Sequence, residues 1–250
     1  MRTSYDYLFL SPHLDDVVLS CGGFVWQVVS DGRTALVATF YSGDPPSGAL
    51  PPLARKAHDL WGLRENAMRA RREEDVRACS ELGAEYIHMG MIDCVYRCDP
   101  DSGDPFYPAQ EDVFGSIRPN DLDTCLGELS RLIRALPSSE HVLAPLGLGG
   151  HIDHKLVKLA IQQSSVGPVC FYEDYPYCVG ANGCGPSGTR ARVHALSRMA
   201  LEHKLRAIRA YESQLRPVFS TPENVKPCLT AYARVVGGER LWHPVEVSDG

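Results

Sequence analysis

The sequence predicts a single α/β domain with three layers and a mainly parallel sheet. Short apolar runs of strand length alternate along the 250 residues with longer segments of helical periodicity, and this alternation is typical of βαβ units. Several runs are continuously apolar, as expected for strands that are buried on both faces. We find no internal repeat and no linker, so residues 1–250 are interpreted as one domain.

The elements follow from apolar runs and from the residues that interrupt them. The predicted strands span residues 5–10, 34–41, 84–91, 141–145 and 168–172. The predicted helices span residues 16–29, 53–82 with a break near Gly62, 120–135, 154–163 and 192–215. Residues 229–236 fit either an edge strand or part of a final helix. Glycine, proline and polar residues predict loops over 42–52, 92–119 and 175–191.

Composition excludes several classes of protein. The net charge of −6 argues against a nucleic-acid-binding surface, which requires a basic patch. Because no window approaches the roughly 18 apolar residues of a membrane span and the N-terminus lacks the pattern of a signal peptide, we expect a cytoplasmic location. The nine cysteines are scattered, and neither close pair, Cys94/Cys98 or Cys178/Cys184, has the spacing of a structural zinc site. We therefore expect mostly reduced thiols.

Two polar clusters follow predicted strands. The first is Ser11-Pro12-His13-Leu14-Asp15-Asp16, and the second is His151-Ile152-Asp153-His154. Because the carboxyl ends of parallel strands lie at one edge of the sheet, where ligands bind in such folds, we expect the two clusters to meet around one divalent metal. A helix N-terminus alone would account for one aspartate, but not for two aspartates and a histidine.

The side chains of these clusters have the chemistry of a hydrolytic metal site. Imidazole nitrogens and carboxylate oxygens bind Zn²⁺, and catalytic zinc commonly has three protein ligands and an open position. A carboxylate that is not a ligand can accept a proton from water, and a second histidine can stabilise an oxyanion or protonate a leaving group. The residues alone do not decide which aspartate or histidine has which task, and such a site also accepts Fe²⁺, Co²⁺ or Ni²⁺.

Together, the two motifs resemble the LmbE-like, or PIG-L, family of metal-dependent N-deacetylases (GlcNAc-PI de-N-acetylase-like). The resemblance extends over most of the chain, and further similar positions are Arg71-x-x-Glu74-Asp75, Leu82-Gly83, Asp93 with Arg97, and Tyr211-x-Ser213-Gln214. Members of this family have a Rossmann-like fold and remove N-acetyl groups from amino sugars, or cleave related amides of sugar conjugates.

The resemblance implies a role for each site residue. The zinc ligands that it implies are His13, Asp16 and His154. Asp15 would be the general base that accepts a proton from water. His151 would be an electrophilic or general-acid imidazole, oriented and charged by Asp153. Arg71 would bind the substrate, and Asp93 would line the pocket.

Three positions depart from the family pattern. Leu14 and Val17 stand where members commonly have proline and glutamate. Several members carry a mobile tyrosine two residues before the first histidine of the second motif, where this chain has Gly149. If that tyrosine assists catalysis in relatives, this chain either acts without it or uses another tyrosine, such as Tyr96, Tyr107 or Tyr175.

The sequence therefore predicts a zinc-dependent hydrolase that removes an N-acetyl or related N-acyl group from an amino-sugar-containing small molecule. One alternative is an amidase that cleaves a non-acetyl amide of a sugar or thiol conjugate or of a natural-product intermediate. Another is an inactive sugar-binding member of the family. The expected partner is the small-molecule substrate, without nucleic acid or a membrane span, and the sequence leaves a homo-oligomer open.

Overall fold

The computed structural model describes residues 2–164, 166–181 and 185–245. Within these residues, seven strands form one sheet in the order β3-β2-β1-β4-β5-β7-β6. The strands are β1 (Ser4–Ser11), β2 (Ala35–Thr39), β3 (Glu85–His88), β4 (Ser138–Pro145), β5 (Val169–Tyr172), β6 (Thr189–His194) and β7 (Glu239–Pro244).

The strands β1 to β5 are parallel, whereas β7 is antiparallel to both β5 and β6. Phe9 of β1 is paired with Val37 on one side and with Leu143 on the other, so β1 and β4 are direct neighbours. Because both strands end at the same edge of the sheet, the chain segments that follow them emerge side by side. The predicted α/β fold with a mainly parallel sheet is confirmed.

Helices cover both faces of the sheet. The helices in the described residues are α1 (Asp16–Ser30), α2 (Pro52–Trp61), α3 (Ala67–Leu82), α4 (Gln110–Val113), α5 (Pro119–Ala135), α6 (Ile152–Gln162), α7 (Arg198–Arg209), α8 (Glu212–Phe219) and α9 (Val225–Val236). Phe9 packs with side chains of α1, α3 and α7 on one face, whereas Leu8 and Leu10 pack with α5 and α6 on the other. The alternation of side chains along β1 therefore supplies two hydrophobic cores.

The helix predicted over residues 192–215 is wrong in its bounds: residues 198–209 and 212–219 form two helices, and the first residues of the predicted span belong to a strand. Residues 189–194 form strand β6, because pairing with β7 at the edge of the sheet outweighs the local helical pattern. The helix α7 begins after Ser197, whose hydroxyl accepts a hydrogen bond from the backbone N–H of Ala200. It ends before Tyr211, whose side chain donates to Asp75 at 2.6 Å. Residues 229–236 belong to the helix α9, and the strand β7 was not predicted.

The helix α1 is interrupted at Cys21, where the backbone angle φ is −133°. The carboxylate of Glu239 in β7 accepts from the backbone N–H groups of Gly23 and Phe24 at 3.0 and 2.7 Å, and thus caps the second half of the helix. Lys204 of α7 donates to the same carboxylate at 2.6 Å. Both charged side chains are buried. The contact therefore joins α1, α7 and β7 within the hydrophobic core that contains Phe9.

Two further expectations concern the whole chain. No helix in the described part of the chain is both long and apolar enough to cross a membrane. Of the close cysteine pairs, Cys94 and Cys98 are free thiols, and so is Cys178. Cys184 lies outside the described residues.

Replacing Glu239 by alanine should destabilise the fold. Because the change leaves the ammonium group of Lys204 buried without its carboxylate, we expect the free energy of unfolding to fall by about 3–5 kcal/mol. Urea denaturation measures this difference. The matched control is Glu202→Ala on α7, which removes an exposed ion pair with Arg198 and should leave the free energy of unfolding nearly unchanged, because solvent screens such pairs. Equal losses in the two variants would contradict the assigned role of Glu239.

Candidate metal centre and active site

The polar side chains of the two motifs meet at the carboxyl edge of the sheet. Asp16 Oδ2 lies 3.2 Å from Nδ1 of His13 and 3.3 Å from Nε2 of His154. Both distances are close to the separation of about 3.3–3.6 Å between ligand atoms that are each 2.0–2.2 Å from a tetrahedral metal. One carboxylate oxygen thus lies at ligand spacing from both histidines, and we take these three residues as the candidate ligands of one divalent metal ion.

Other groupings of possible ligands overlap with this one. The ring nitrogens of His13, His151 and His154 lie within 4.8 Å of one another, and so do ligand atoms of His13, Asp93 and Asp153. A third group combines Cys94 with His151 and Asp153. We favour the group that contains Asp16, because a single carboxylate oxygen lies beside both histidine nitrogens.

Asp15 and Asp16 are adjacent in sequence but face different partners. Asp15 has a φ of 148° and immediately precedes α1. This conformation is strained for a residue with a side chain. It turns the carboxylate of Asp15 towards Arg71, at 3.8 Å, while Asp16 accepts from the backbone N–H of His13 at 2.7 Å. The backbone thus directs Asp16 towards the two candidate histidine ligands and Asp15 towards Arg71.

Each histidine of the proposed metal group has a carboxylate at its other ring nitrogen. Nε2 of His13 lies 3.0 Å from Asp153, and Nδ1 of His154 lies 2.6 Å from Asp174. Such carboxylates fix the tautomer and the orientation of a metal-bound imidazole. Asp174 was missed by the sequence analysis; the available signal was an acidic residue just beyond the predicted strand 168–172, at the same edge of the sheet.

The structure differs from the expected pairing of Asp153 with His151. The carboxylate of Asp153 contacts His13 instead, as well as Arg97 at 2.8 Å. His151 interacts with the backbone of Asp153, because its Nδ1 accepts from that N–H at 3.2 Å. The sequence could not reveal this, since the side chain and backbone of one residue point in different directions at a helix N-terminus.

At Asp16, His13 and His154, neighbouring groups of opposite charge shift the pKa so that the charged form is favoured. Burial disfavours the charged form of Asp16, but His154 and His13 hold the pKa of this carboxyl well below its usual range. Burial also opposes protonation of His154, yet Asp16 and Asp174 raise its pKa to about 10. Similarly, Asp93 and Asp153 raise the pKa of His13 well above its ordinary value, against the effect of burial. Negative charge therefore dominates around these two histidines, as expected for a cation site.

At His151 and Asp15, in contrast, the pKa shifts favour the neutral form of the side chain. Burial and the neighbouring His13 and His154 lower the pKa of His151 well below its ordinary value. A neutral His151 whose Nδ1 accepts a hydrogen bond carries its proton on Nε2, which is then a donor. Burial and the adjacent Asp16 raise the pKa of Asp15 to about 7, which suits a carboxylate that accepts and releases a proton near neutral pH.

Arg71 is buried beside Asp15. Its Nη2 donates to the carbonyl oxygen of Leu14 at 3.3 Å, and the guanidinium group lies 4.6 Å from the centroid of the Trp61 ring. Its Nε has no hydrogen-bond partner among the described residues. A cavity of about 600 Å³ opens here, and its lining includes His13, Asp15, Asp16, Trp61, Arg71, Asp93, His151 and Tyr177. The candidate catalytic and substrate-binding groups therefore face one space.

A tyrosine ring lies against Gly149, but it belongs to Tyr177. A Cβ atom at Gly149 would lie 2.6 Å from this ring, so a larger residue there would displace it. Of the three candidates, Tyr96 is hydrogen-bonded to His58, Tyr107 to Asp121, and Tyr175 lines the cavity. The sequence analysis missed Tyr177 because the path of the loop 175–191 could not be predicted.

The chain is similar to known proteins over most of its length. The family model of GlcNAc-PI de-N-acetylase (PIG-L) matches residues 8–165. A 2'-N-acetylparomamine deacetylase from Streptomyces fradiae is 33% identical over 220 residues, which cover 83% of this chain and 72% of the relative. The protein of the same description from Niallia circulans is 29% identical over 236 residues, covering 88% and 84%.

Among solved structures, the zinc-inhibited form of teicoplanin deacetylase superposes with a TM-score of 0.85 at 29% identity, covering 98% of this chain and 99% of that one. The deacetylase of the A40926 pseudoaglycone superposes with a TM-score of 0.77 at 26% identity, covering 98% and 99%. Both superpositions extend over nearly the whole of each chain.

The strained backbone at Asp15 can be tested by replacement with glycine and with alanine. Both variants lose the carboxylate, but only alanine keeps a Cβ atom at a φ of 148°. We expect the glycine variant to be more stable than the alanine variant by about 1 kcal/mol, measured by chemical denaturation. An alanine variant as stable as the glycine variant would show that position 15 is not strained.

Proposed function

Since the chain belongs to the PIG-L family of de-N-acetylases, we propose that it hydrolyses the N-acetyl group of an amino sugar within a natural-product intermediate. The expected enzyme class, an N-deacetylase hydrolase, is confirmed by this membership and by the named deacetylases among its relatives. The observation that carries the proposal is the convergence of His13, Asp16 and His154, with Asp15 beside them, at a cavity of about 600 Å³.

The donor set supports a divalent metal, with His13, Asp16 and His154 as its protein ligands. When bound there, a metal such as Zn²⁺ would lower the pKa of water and polarise the amide carbonyl group. Two imidazoles and a carboxylate suit Zn²⁺, and they also accept Fe²⁺, Co²⁺ or Ni²⁺. Asp153 and Asp174 support the fit, because each contacts the second ring nitrogen of one histidine, the one that is not beside Asp16.

Asp15 is proposed as the general base. It lies next to a ligand in sequence, it faces the cavity, and its pKa of about 7 allows it to accept a proton from the attacking water. The same group could then deliver that proton to the nitrogen atom of the departing amine. Arg71, 3.8 Å away, favours the ionised form of Asp15 and so keeps the base available at neutral pH.

His151 is proposed as the hydrogen-bond donor to the developing oxyanion. Its Nδ1 accepts from the N–H of Asp153, which leaves the Nε2–H as the donor of a side chain that lines the cavity. Donors of this kind lower the barrier of acyl transfer because they are already oriented before the charge develops. In the neutral state this role suits His151 better than that of a general acid.

The size and the lining of the cavity suit an amino sugar attached to a larger group. A volume of about 600 Å³ falls within the range of about 300–1,000 Å³ that pockets for drug-sized ligands occupy. Leu60 and Trp61 of α2 and Val218 of α8 add apolar side chains to the polar lining of the cavity. The relatives named for acetylparomamine, teicoplanin and A40926 support a glycosylated or pseudo-disaccharide substrate.

The test is release of acetate and of free amine from 2'-N-acetylparomamine and from simple N-acetylglucosaminides. Protein is first stripped with a chelator and then reloaded with one equivalent of Zn²⁺, because excess metal could inhibit it, as the zinc-inhibited relative indicates. We expect acetate and amine in equal amounts from the loaded protein only. Amine without acetate from other N-acyl sugars would favour the amidase, and no amine from any substrate would contradict the proposal.

Substitution of Asp15 by asparagine tests the assignment of the base. The amide occupies the same volume but cannot accept the proton, so we expect kcat to fall about 10²–10⁴-fold, while the zinc content stays that of the wild type. The matched control is Asp31→Asn, which changes an exposed aspartate after α1 and should leave kcat unchanged. Undiminished kcat in the Asp15 variant would exclude Asp15 as the base.

A further inference from the structure

Behind the metal centre, the guanidinium group of Arg97 joins two buried carboxylates. Its Nε and Nη2 donate to the two oxygens of Asp121 at 2.7 and 2.9 Å, and its Nη1 lies 2.8 Å from Oδ1 of Asp153. Nη1 also donates to the carbonyl oxygen of Ile92 at 2.9 Å. This paired, two-point contact fixes the plane of the guanidinium group as well as its position.

Contacts at both of its oxygens restrict the side chain of Asp153. Its Oδ2 lies 3.0 Å from Nε2 of His13 and accepts from the backbone N–H of Cys94 at 3.1 Å. Its Oδ1 has no hydrogen-bond partner among the described residues but forms an ion pair with Nη1 of Arg97 at 2.8 Å. The side chain is completely buried. The orientation of the His13 ring therefore depends on Asp153, and that of Asp153 depends on Arg97.

The position of Asp121 is itself restricted by its surroundings. It lies in the first turn of α5, it is buried, and it accepts a further hydrogen bond from the hydroxyl group of Tyr107 at 2.8 Å. Neither Asp121 nor Arg97 belongs to the described lining of the cavity, so neither is placed to touch a substrate.

The second histidine is supported differently. Asp174, which contacts Nδ1 of His154, accepts with its other oxygen from the backbone N–H of Leu148 at 2.9 Å. A backbone amide donates to each of the two carboxylates, but only Asp153, behind His13, also contacts the ion pair of Arg97 with Asp121. Side-chain substitutions can therefore weaken the support of His13 without touching that of His154.

We propose that Asp121, acting through Arg97, is a positioning residue that orients Asp153 and thereby fixes the His13 ring for metal binding. The inference rests on the proposed function, because it assigns His13 to the metal. Asp121, in α5, could not be identified from contacts with the metal or the substrate, because it makes neither.

The test is the dissociation constant of Zn²⁺, measured by competition with a chromophoric chelator, in the Asp121→Asn variant. Asparagine has nearly the same shape, but it offers one acceptor oxygen instead of two and carries no charge. We expect the dissociation constant to rise about 10–100-fold, and kcat to fall with KM within about twofold of the wild type. The matched control, Asp123→Asn, changes an exposed residue of the same helix and should leave both values unchanged.

A second variant keeps the test decisive if Asp121→Asn does not fold, as judged by circular dichroism. Arg97→Lys keeps the positive charge but cannot contact Asp121 at two points and Asp153 at the same time, so we expect a rise of similar size. Because Asp121 acts through Arg97, the double variant should bind Zn²⁺ no more weakly than the weaker of the two single variants.

The outcomes separate this inference from the proposed function. A folded Asp121→Asn protein, or in its place Arg97→Lys, with the zinc affinity of the wild type would overturn the inference alone. Wild-type protein that binds Zn²⁺ but releases no acetate would overturn the proposed function, while the affinities of the variants would still decide the inference. Wild-type protein that does not bind Zn²⁺ would overturn both.

Discussion

The site depends on a single carboxylate oxygen that two distant parts of the chain share. Oδ2 of Asp16 lies at about the same short distance from a nitrogen of His13 and from a nitrogen of His154. This is achieved because β1 and β4 are adjacent parallel strands, so the loops that follow them begin side by side. Asp16 then starts α1 and His154 lies in the first turn of α6, which fixes both side chains on rigid elements.

Electrostatics explains why such an arrangement calls for a cation. Asp15, Asp16, Asp93, Asp153 and Asp174 are all buried around two histidines, whereas the guanidinium groups close by are those of Arg71 and Arg97. Arg97 is itself paired with Asp121. Buried carboxylates are costly unless they are paired or bind a metal, and an ion between His13, Asp16 and His154 would compensate the excess of negative charge.

The sequence predicted those parts of the molecule that depend on local pattern. Apolar periodicity located the first five strands, and the position of both motifs after strands placed them at one edge. The roles of the individual aspartates rested on the family resemblance. The contacts of Asp153 could not be predicted, because they depend on which way a buried ring faces. Asp174, Tyr177 and the strand β7 were missed, because a loop and an edge strand are determined by contacts with residues far away in sequence.

The most direct test of this account is the structure of the protein loaded with one equivalent of Zn²⁺, with the metal located by anomalous scattering. We expect one zinc peak, bonded to Nδ1 of His13, a carboxylate oxygen of Asp16 and Nε2 of His154, with Asp15 and His151 beside it but unbonded. A peak held by His13, His151 and His154, or by Asp93 and Asp153, would contradict the ligand assignment and the separation of roles that follows from it.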